Sequence, residues 1–239
     1  MIQQAREWVA EARRVCVLTG AGISAESGIP TFRGAGGLWR KYRPEDLATP
    51  QAFRRDPKLV WEWYDWRRGL VRAAQPNEGH LALAEFERRR PGSFALVTQN
   101  VDGLHERAGS RVLWKLHGGL WTLRCTGCGA ESHDERVPLP ELPPRCEACG
   151  AMLRPGVVWF GEALPEEPWN AAVQAASDCG LMLVVGTSAQ VYPAAALAPL
   201  ARQSGARVIE VNVEETAQSG LAGLALRGTA GSILPQILL

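Results

Sequence analysis

Residues 15–25 read VCVLTGAGISA, a short aliphatic run followed at once by a glycine-rich turn. The run Val15–Thr19 is typical of a buried strand, and residues 20–25 fit the dinucleotide-binding pattern G-x-G-x-x-G/A. Gly20 and Gly22 permit a tight turn in which backbone N–H groups can approach a pyrophosphate at the start of a helix. The hexapeptide alone also suits a turn without a ligand, and no acidic residue ends a strand about 20 residues further on.

Apolar runs of the same kind recur along the chain and alternate with stretches of helical apolar spacing. The helical spacing covers residues 2–13, about 79–89, 166–177 and 193–203. Such alternation predicts the α/β class, with a Rossmann-like parallel sheet whose strands are joined by crossover helices. The predicted strands are Val15–Thr19, Phe94–Thr98, Val112–Leu116, Val157–Phe160, Leu181–Val185 and Val208–Val213.

Two segments interrupt this alternation and differ from it in composition. Residues 35–75 are rich in Trp and Arg, and Pro57 is placed to open a helix that runs to Leu70. Residues 120–155 are rich in Cys, Pro and Gly and lack periodic apolar spacing. Neither segment could bury a core alone, so we expect both to form one small domain. The predicted main domain comprises residues 1–34, 76–119 and 156–239, and the small domain comprises the helical insertion 35–75 and the zinc-ribbon insertion 120–155.

Four of the six cysteines form two C-x-x-C pairs, with the spacing Cys125-x2-Cys128-x17-Cys146-x2-Cys149. This spacing is typical of a four-thiolate zinc site in which two turns close one tetrahedron. Because four protein thiolates leave no position for water, the sequence predicts a structural Zn2+ ion. The other two cysteines, at positions 16 and 179, adjoin apolar runs and are predicted to be small buried residues.

Charge balance and hydropathy limit the classes of partner. The 239 residues include 26 Lys and Arg against 25 Asp and Glu, a net charge of +1. This balance argues against a general attraction to polyanions, so we expect no specific nucleic-acid partner. The N-terminal residues lack the apolar core of a secretory signal, and no apolar run reaches about 18 residues. We therefore expect no membrane span and a cytoplasmic location.

A longer string, GAGISAESGIPTFRG at residues 20–34, closely resembles the cofactor signature of the sirtuin family. Further motifs resemble the same family in the same order: TQNVDGLH at 98–105, LHG at 116–118, VWFGE at 158–162, GTS at 186–188 and VN at 211–212. The resemblance covers nearly the whole chain and implies NAD as co-substrate. The residues it implies for NAD binding are Gly20, Ala21, Gly22, Ile29, Phe32, Arg33, Gln99, Asn100, Val101, Asp102, Gly186, Thr187, Ser188, Asn212 and Ala230.

The resemblance also implies catalytic roles for His117, Asn100 and Asp102. A neutral imidazole at the end of a strand can accept a proton from a sugar hydroxyl, although His117 considered alone suits a structural histidine equally well. In sirtuin chemistry, residues at the positions of Asn100 and Asp102 hold the nicotinamide carboxamide while the acyl-lysine oxygen attacks the ribose. The base then activates a ribose hydroxyl. The implied products are nicotinamide, O-acyl-ADP-ribose and free lysine.

Tyr64 and Arg67 are three residues apart in the helix expected after Pro57, so they share one face. Spacing alone favours a solvated arginine beside a half-buried aromatic residue. The pattern Y-x-x-R, however, resembles the acyl pocket of sirtuins that remove succinyl groups, and a phenol with a guanidinium suits a carboxylate. The resemblance thus implies a deacylase that removes succinyl and acetyl groups from lysines of acylated proteins. The residues implied for substrate binding are Tyr64, Arg67, Val158, Phe160, Gly161 and Val191.

Two other functions remain open on the sequence. An NAD-dependent protein ADP-ribosyltransferase would pass the same activated ribose to a protein nucleophile. A non-catalytic module that only binds zinc and NAD is the second alternative, and the near-zero net charge argues against a nucleic-acid-binding version of it.

Overall fold

A parallel sheet of six strands forms the centre of the computed structural model, which describes residues 1–32, 37–38 and 43–239. The strands of the molecule are β1 (Val15–Thr19), β2 (Phe94–Thr98), β3 (Leu113–Lys115), β4 (Gly118–Cys125), β5 (Glu131–His133), β6 (Leu153–Val157), β7 (Leu181–Val185), β8 (Arg207–Asn212) and β9 (Leu224–Arg227). The order in the large sheet is β3-β2-β1-β7-β8-β9, and its neighbours pair in parallel. The chain therefore extends the sheet first on one side of β1 and then on the other.

Helices connect these strands, and their ends follow local capping chemistry. Pro57 opens the longest helix, and the Asp56 carboxylate accepts a hydrogen bond of 2.9 Å from the Leu59 N–H at its N-terminus. Among the described residues, no helix is both long and apolar enough to cross a bilayer. The α-helices are α1 (Ile2–Glu11), α2 (Pro44–Leu47), α3 (Pro50–Arg55), α4 (Pro57–Ala73), α5 (Glu78–Arg89), α6 (Leu104–Ala108), α7 (Glu166–Asp178), α8 (Leu197–Gln203) and α9 (Ala230–Leu238).

Both faces of the large sheet are buried, which explains why its strands read as continuous apolar runs. Successive residues of β1 point to opposite faces. Val15 and Val17 belong to a core that also contains residues of α1, α5 and α9. Cys16 and Leu18 belong to a second core with residues of α7 and α8. The α/β class and the Rossmann-like sheet predicted from the sequence are confirmed.

A small antiparallel sheet, with the order β5-β4-β6, contacts α4, and α2 and α3 pack against α4. A third core joins apolar residues of both insertions, among them Trp61 of α4 and Leu123 of β4. The Trp61 indole N–H also donates a hydrogen bond of 2.8 Å to the Leu153 carbonyl. These shared contacts support our proposal that residues 35–75 and 120–155 form one small domain, with the boundaries given above.

Several predicted elements differ from the structure. The run 157–160 is not a strand of the parallel sheet, because β6 ends at Val157 and the next residues form a loop that turns at Gly161, where φ is +86°. The predicted helix 193–203 is divided into a 3₁₀ turn, Ala194–Ala196, and α8. Helix α4 continues to Ala73, beyond the predicted end.

Candidate active site

A cavity of about 630 Å³ opens at the carboxyl ends of the central strands. In open α/β sheets ligands bind at this edge, next to the strand where the direction of winding reverses. Two groups of residues line it. The sheet-edge part comprises residues 20–22, 25–26, 99–101, 117, 186–188 and 211–217, all near strand ends. The α4 part comprises Trp63, Tyr64 and Arg67 together with residues 157–161.

The glycines after β1 bring the first loop into direct contact with the turn after β7. A Cβ atom on Gly22 would lie 2.7 Å from the Cα of Gly186, and one on Gly20 would lie 2.8 Å from the Thr187 Cβ. The Gly22 N–H donates to the Gly186 carbonyl at 2.7 Å. The loop continues as a 3₁₀ helix, Ala21–Ser27, in place of the longer helix typical of dinucleotide-binding turns. The glycines therefore allow two loops to pack closely at the cavity.

Ser24 is the centre of a buried hydrogen-bond network below the sheet-edge part. Its hydroxyl donates to the Asp102 carboxylate at 2.8 Å and accepts from the Asn100 side-chain amide at 3.2 Å. The His80 Nε2 lies 3.4 Å from the same hydroxyl, while the Asn77 N–H donates to His80 Nδ1. Burial raises the pKa of Asp102, whereas hydrogen bonds from Leu104 and Ser24 oppose this shift.

A second buried chain of hydrogen bonds holds the backbone of Asn100. Its N–H donates to the Thr98 hydroxyl at 3.0 Å, and that hydroxyl also accepts from Thr19 at 2.8 Å. His105 Nε2 lies 2.9 Å from the Thr19 hydroxyl. Burial lowers the pKa of His80 to about 3 and that of His105 to about 4, so both rings are neutral at pH 7. The two chains fix Asn100 through its side chain and its backbone.

His117 lies at the cavity just beyond β3. Its Nδ1 is 3.0 Å from the Gln99 carbonyl, so Nδ1 carries the proton and donates it there. In this tautomer Nε2 keeps a free lone pair, and among the described residues it has no hydrogen-bond partner. Burial lowers the pKa of His117, while the bond to Gln99 acts in the opposite direction. The ring is therefore a neutral proton acceptor at pH 7.

The ends of β7 and β8 supply the remaining polar groups of the sheet-edge part. The Gln99 amide donates to the Thr187 hydroxyl at 3.0 Å, and the Asn212 amide donates to the Thr187 carbonyl at 2.9 Å. Glu214 and Glu215 follow Asn212 and line the same cavity. Hydroxyl, amide and carboxylate groups in this position suit the hydroxyl groups of a ribose.

The α4 part contains a buried cation beside three aromatic rings. The Arg67 guanidinium carbon lies 4.6 Å from the ring centroid of Phe32 and 4.9 Å from that of Trp63. Only 6% of Arg67 is exposed, and it forms no ion pair with any described residue. Burial lowers its pKa, but a guanidinium remains charged in proteins. Burial also raises the pKa of Tyr64 to about 12, so the phenol keeps its proton.

The loop after β6 lies between the two parts of the cavity. The Val158 N–H donates to the His117 carbonyl at 3.0 Å, and the Phe160 N–H donates to the Ala48 carbonyl at 3.0 Å. Phe160 is 42% exposed at the cavity mouth. Val191 and Tyr192 line the facing side, and Tyr192 is 71% exposed. Together these two segments border an opening through which an extended chain can enter.

The four cysteines of residues 125–149, next to the small sheet, form one cluster. Their sulfur atoms all lie within 4.8 Å of one another, with 3.4 Å between Cys125 and Cys149 and 3.8 Å between Cys128 and Cys146. A tetrahedron with Zn–S bonds of about 2.3 Å has edges of about 3.8 Å, so the cluster fits Zn2+. The Cys128 N–H donates to the Cys125 sulfur and lowers the pKa of that thiol, which favours the thiolate that binds metal. At Cys149 the Ala151 N–H acts in the same direction, but the neighbouring sulfurs raise the pKa above its ordinary value.

Arg68 joins α4 to the zinc-binding segment. It is fully buried, and its guanidinium donates to the carbonyls of Leu120, Asp134 and Arg136 at 2.6 to 3.0 Å. Tyr64 and Arg67 on the same helix line the cavity. The position of the α4 part therefore depends on the segment that carries the cysteines.

The Sir2 family model matches residues 20–193. The chain belongs to the Sir2 family. The family prediction made from the motif series is thereby confirmed.

Individual Sir2-family proteins resemble the chain over nearly its full length. The NAD-dependent protein deacylase of Aquifex aeolicus (strain VF5) is 55% identical over 227 residues, which cover 95% of each chain. A crystal structure of a Sir2 homolog in complex with NAD has a TM-score of 0.92 and 48% identity, and the match covers 99% of this chain and 92% of that one. A complex of Sir2 with a p53 peptide and NAD+ has a TM-score of 0.90 and 32% identity, with coverage of 99% and 97%.

Most of the residues proposed for the Sir2-type site lie at the one cavity. Ile29 and Asp102 are the exceptions among the described residues. Ile29 packs in the third core, and Asp102 lies behind Ser24. Arg33 lies outside the residues that the structure describes. The proposed residues at the cavity are Gly20, Ala21, Gly22, Phe32, Tyr64, Arg67, Gln99, Asn100, Val101, His117, Val158, Phe160, Gly161, Gly186, Thr187, Ser188, Val191, Asn212 and Ala230.

Sequence reasoning missed several polar residues of this site. Ser24 lies within the quoted cofactor loop and His80 in no quoted motif, and their connection to Asp102 and Asn100 exists only in the folded chain. Glu26 lines the cavity and accepts a hydrogen bond of 2.7 Å from the Gly231 N–H at the start of α9. Its place within the quoted cofactor loop was the one signal that could have identified it.

Proposed function

We propose that this Sir2-family enzyme is an NAD-dependent protein-lysine deacylase that removes both succinyl and acetyl groups. The proposed reaction consumes NAD, the acyl-lysine and one water molecule, and its products are nicotinamide, O-acyl-ADP-ribose and free lysine. One observation supports the acyl selectivity most directly. A buried guanidinium that no described residue pairs lies at the same cavity as a neutral histidine whose second ring nitrogen has no partner among those residues.

In the proposed reaction, residues of the sheet-edge part act on NAD, and residues of the α4 part bind the acyl group. Bound NAD supplies a glycosidic bond that can break to release nicotinamide, so that ADP-ribose can accept the acyl group. His117 accepts the proton of a ribose hydroxyl at Nε2, because Nδ1 already carries a proton and donates it to the Gln99 carbonyl. Asn100 presents its side chain at the cavity, where the carboxamide of nicotinamide would bind. Asp102 acts from behind Ser24, whose hydroxyl it fixes.

The α4 part suits an acyl chain that ends in a carboxylate. The Arg67 cation and the Tyr64 phenol can both donate hydrogen bonds to such a group. An anion there would neutralise a buried charge that no described residue pairs. An acetyl group is shorter and neutral, so it can enter the same cavity without using these donors.

Protein substrates are supported by the two segments that border the cavity mouth. An extended peptide between residues 158–161 and 191–193 would place an acyl-lysine side chain towards the cavity. The similar Sir2 complex contains a p53 peptide, and the similar Aquifex aeolicus enzyme is called a protein deacylase. These likenesses support acylated proteins as substrates of this enzyme.

A single assay tests the proposal against its alternatives. The protein is incubated with NAD and an acetyl- or succinyl-lysine peptide, and nicotinamide release and peptide mass are followed. We expect stoichiometric loss of the acyl group and release of nicotinamide with both peptides. Nicotinamide release with a mass gain on a protein would indicate ADP-ribosyl transfer, and no release would indicate a binding module.

A further inference from the structure

We propose that Trp159 is a specificity-determining positioning residue, which fixes the direction in which Tyr64 donates its hydroxyl proton. The inference rests on the proposed removal of acyl groups that end in a carboxylate. Trp159 lies in the loop after β6 and is 3% exposed, at the border between the peptide opening and the α4 part. The quoted motif VWFGE contains Trp159, but the substrate-binding residues implied by the resemblance do not include it.

The hydrogen bond between Trp159 and Tyr64 has only one possible direction. The indole Nε1 lies 2.9 Å from the phenol oxygen, and an indole N–H can donate but cannot accept. The Tyr64 oxygen is therefore the acceptor, and its own proton points elsewhere. Among the described residues, that hydroxyl has no second hydrogen-bond partner. Tyr64 is only 3% exposed, but it lines the cavity. A ligand in the cavity can therefore accept the hydroxyl proton.

The surroundings of Trp159 hold the indole in place before any substrate binds. The Arg154 guanidinium carbon lies 3.5 Å from the centre of the indole, and Phe53 packs with its ring centroid at 5.4 Å. Arg154 is fixed by two hydrogen bonds of 2.6 and 2.8 Å to Glu162. Glu162 also accepts the Trp159 backbone N–H at 2.8 Å. A rigid donor orients the phenol without an additional loss of conformational freedom on binding.

The consequence differs between the two acyl groups. A succinyl carboxylate can accept the Tyr64 proton and contact Arg67, so it gains from a phenol that is already oriented. An acetyl methyl group can accept nothing. Without the indole N–H, the Tyr64 hydroxyl is free to rotate. Binding of the succinyl group must then fix its orientation, which costs conformational entropy. Trp159 thus favours the carboxylate-terminated chain over the neutral one.

The test compares both activities in Trp159→Phe, which removes the N–H and keeps an aromatic ring. We expect the ratio of kcat/KM for a succinyl peptide to kcat/KM for an acetyl peptide to fall roughly tenfold, mainly through KM of the succinyl peptide. Replacement of Trp159 by benzothienylalanine keeps the bicyclic shape without the N–H, and should give the same fall even if the Phe variant is unstable. Trp169→Phe, on α7 and away from the cavity, is the matched control and should leave the ratio unchanged.

A double-mutant cycle with Tyr64→Phe separates this role from general damage to the pocket. Because the two residues act through one proton, Trp159→Phe should produce little further fall in the ratio once the phenol hydroxyl is absent. An unchanged ratio in the parent background, or an equal fall in both backgrounds, would overturn the role of Trp159. If the parent protein removes acetyl but never succinyl, the proposed acyl selectivity fails and this inference fails with it. Loss of the Trp159 effect alone leaves the proposed function standing.

Discussion

The two parts of the cavity differ in how far their polar groups are paired before a ligand binds. At the sheet-edge part, Asn100 and the buried Ser24 and Asp102 behind it are bonded to one another and to backbone groups before any ligand binds. In the α4 part, the Arg67 cation has no ion-pair partner among the described residues. A satisfied network fixes geometry for one reaction, whereas an unpaired charge selects a ligand of opposite charge. We therefore propose that the chemistry is set at the sheet edge and the acyl selectivity at α4.

Removal of zinc should have the largest effect, because it affects the support of the α4 part. Helix α4 is bonded to the cysteine-bearing segment through Arg68 and Trp61. We expect a strong chelator to abolish both deacylase activities together with the native circular dichroism, while zinc content falls in parallel. A chelated protein that kept its native spectrum and lost only turnover would contradict a purely structural metal.

His117→Ala tests the sheet-edge part alone. Loss of the proton acceptor should reduce deacylation of both peptides by about 100-fold to 10,000-fold, because the ribose hydroxyl is no longer activated. NAD binding, measured by calorimetry, and the unfolding midpoint should stay close to those of the parent. His133→Ala, at an exposed ring, is the control. If a variant at position 117 lost only one of the two activities, the proposed assignment of the chemistry to the sheet edge and of acyl selectivity to α4 would be wrong.

Arg67→Met tests the α4 part alone. We expect kcat/KM for the succinyl peptide to fall roughly 10- to 100-fold, because a charged hydrogen-bond donor to the carboxylate is removed. The acetyl peptide should be affected far less. Arg72→Met, at an exposed arginine on the same helix that pairs with Glu135, controls for a general loss of positive charge. Equal losses with both peptides would show that Arg67 supports the pocket without selecting its ligand.

The smallest effect concerns stability at acidic pH. His80 and His105 have pKa values of about 3 and about 4 in the folded chain, below the ordinary value of 6.5. Below pH 6.5 the unfolded chain therefore binds more protons than the folded chain. Their stabilising contribution is complete above pH 6.5 and is lost as pH falls towards these values, with a slope of about 1.4 kcal/mol per pH unit for each ring. Urea unfolding at pH 7, 6 and 5 measures this slope, which His105→Gln should reduce. An equal slope in the variant and the parent would show that His105 is not the titrating group.

Prediction from sequence worked best where one physical cause dominated. The bounds of β1, β2 and β7 were predicted because strands buried on both faces are continuous apolar runs. The run 157–160 was misread, because an apolar loop at the peptide opening has the same composition as a strand. Helix α9 was missed, since Pro235 within it argues against a helix.

The site was only partly predictable for a related reason. His117 and the four cysteines were identified through motifs and spacing, which are local. The bonds from Ser24 to His80 and from Trp159 to Tyr64 join segments that are 56 and 95 residues apart. Such contacts exist only after folding, so no window of sequence contains them.

The contact between Gly22 and Gly186 limits how the cofactor loop can change. A side chain at Gly22 would meet the Gly186 backbone at 2.7 Å, and one at Gly186 would meet the backbone N of Ile23, and a backbone cannot rotate aside as a side chain can. Variation of one loop therefore requires a matching displacement of the other, which no single substitution provides. Engineering of cofactor preference would have to leave these two glycines and begin farther along the cavity, at Asn212 and the glutamates that follow it.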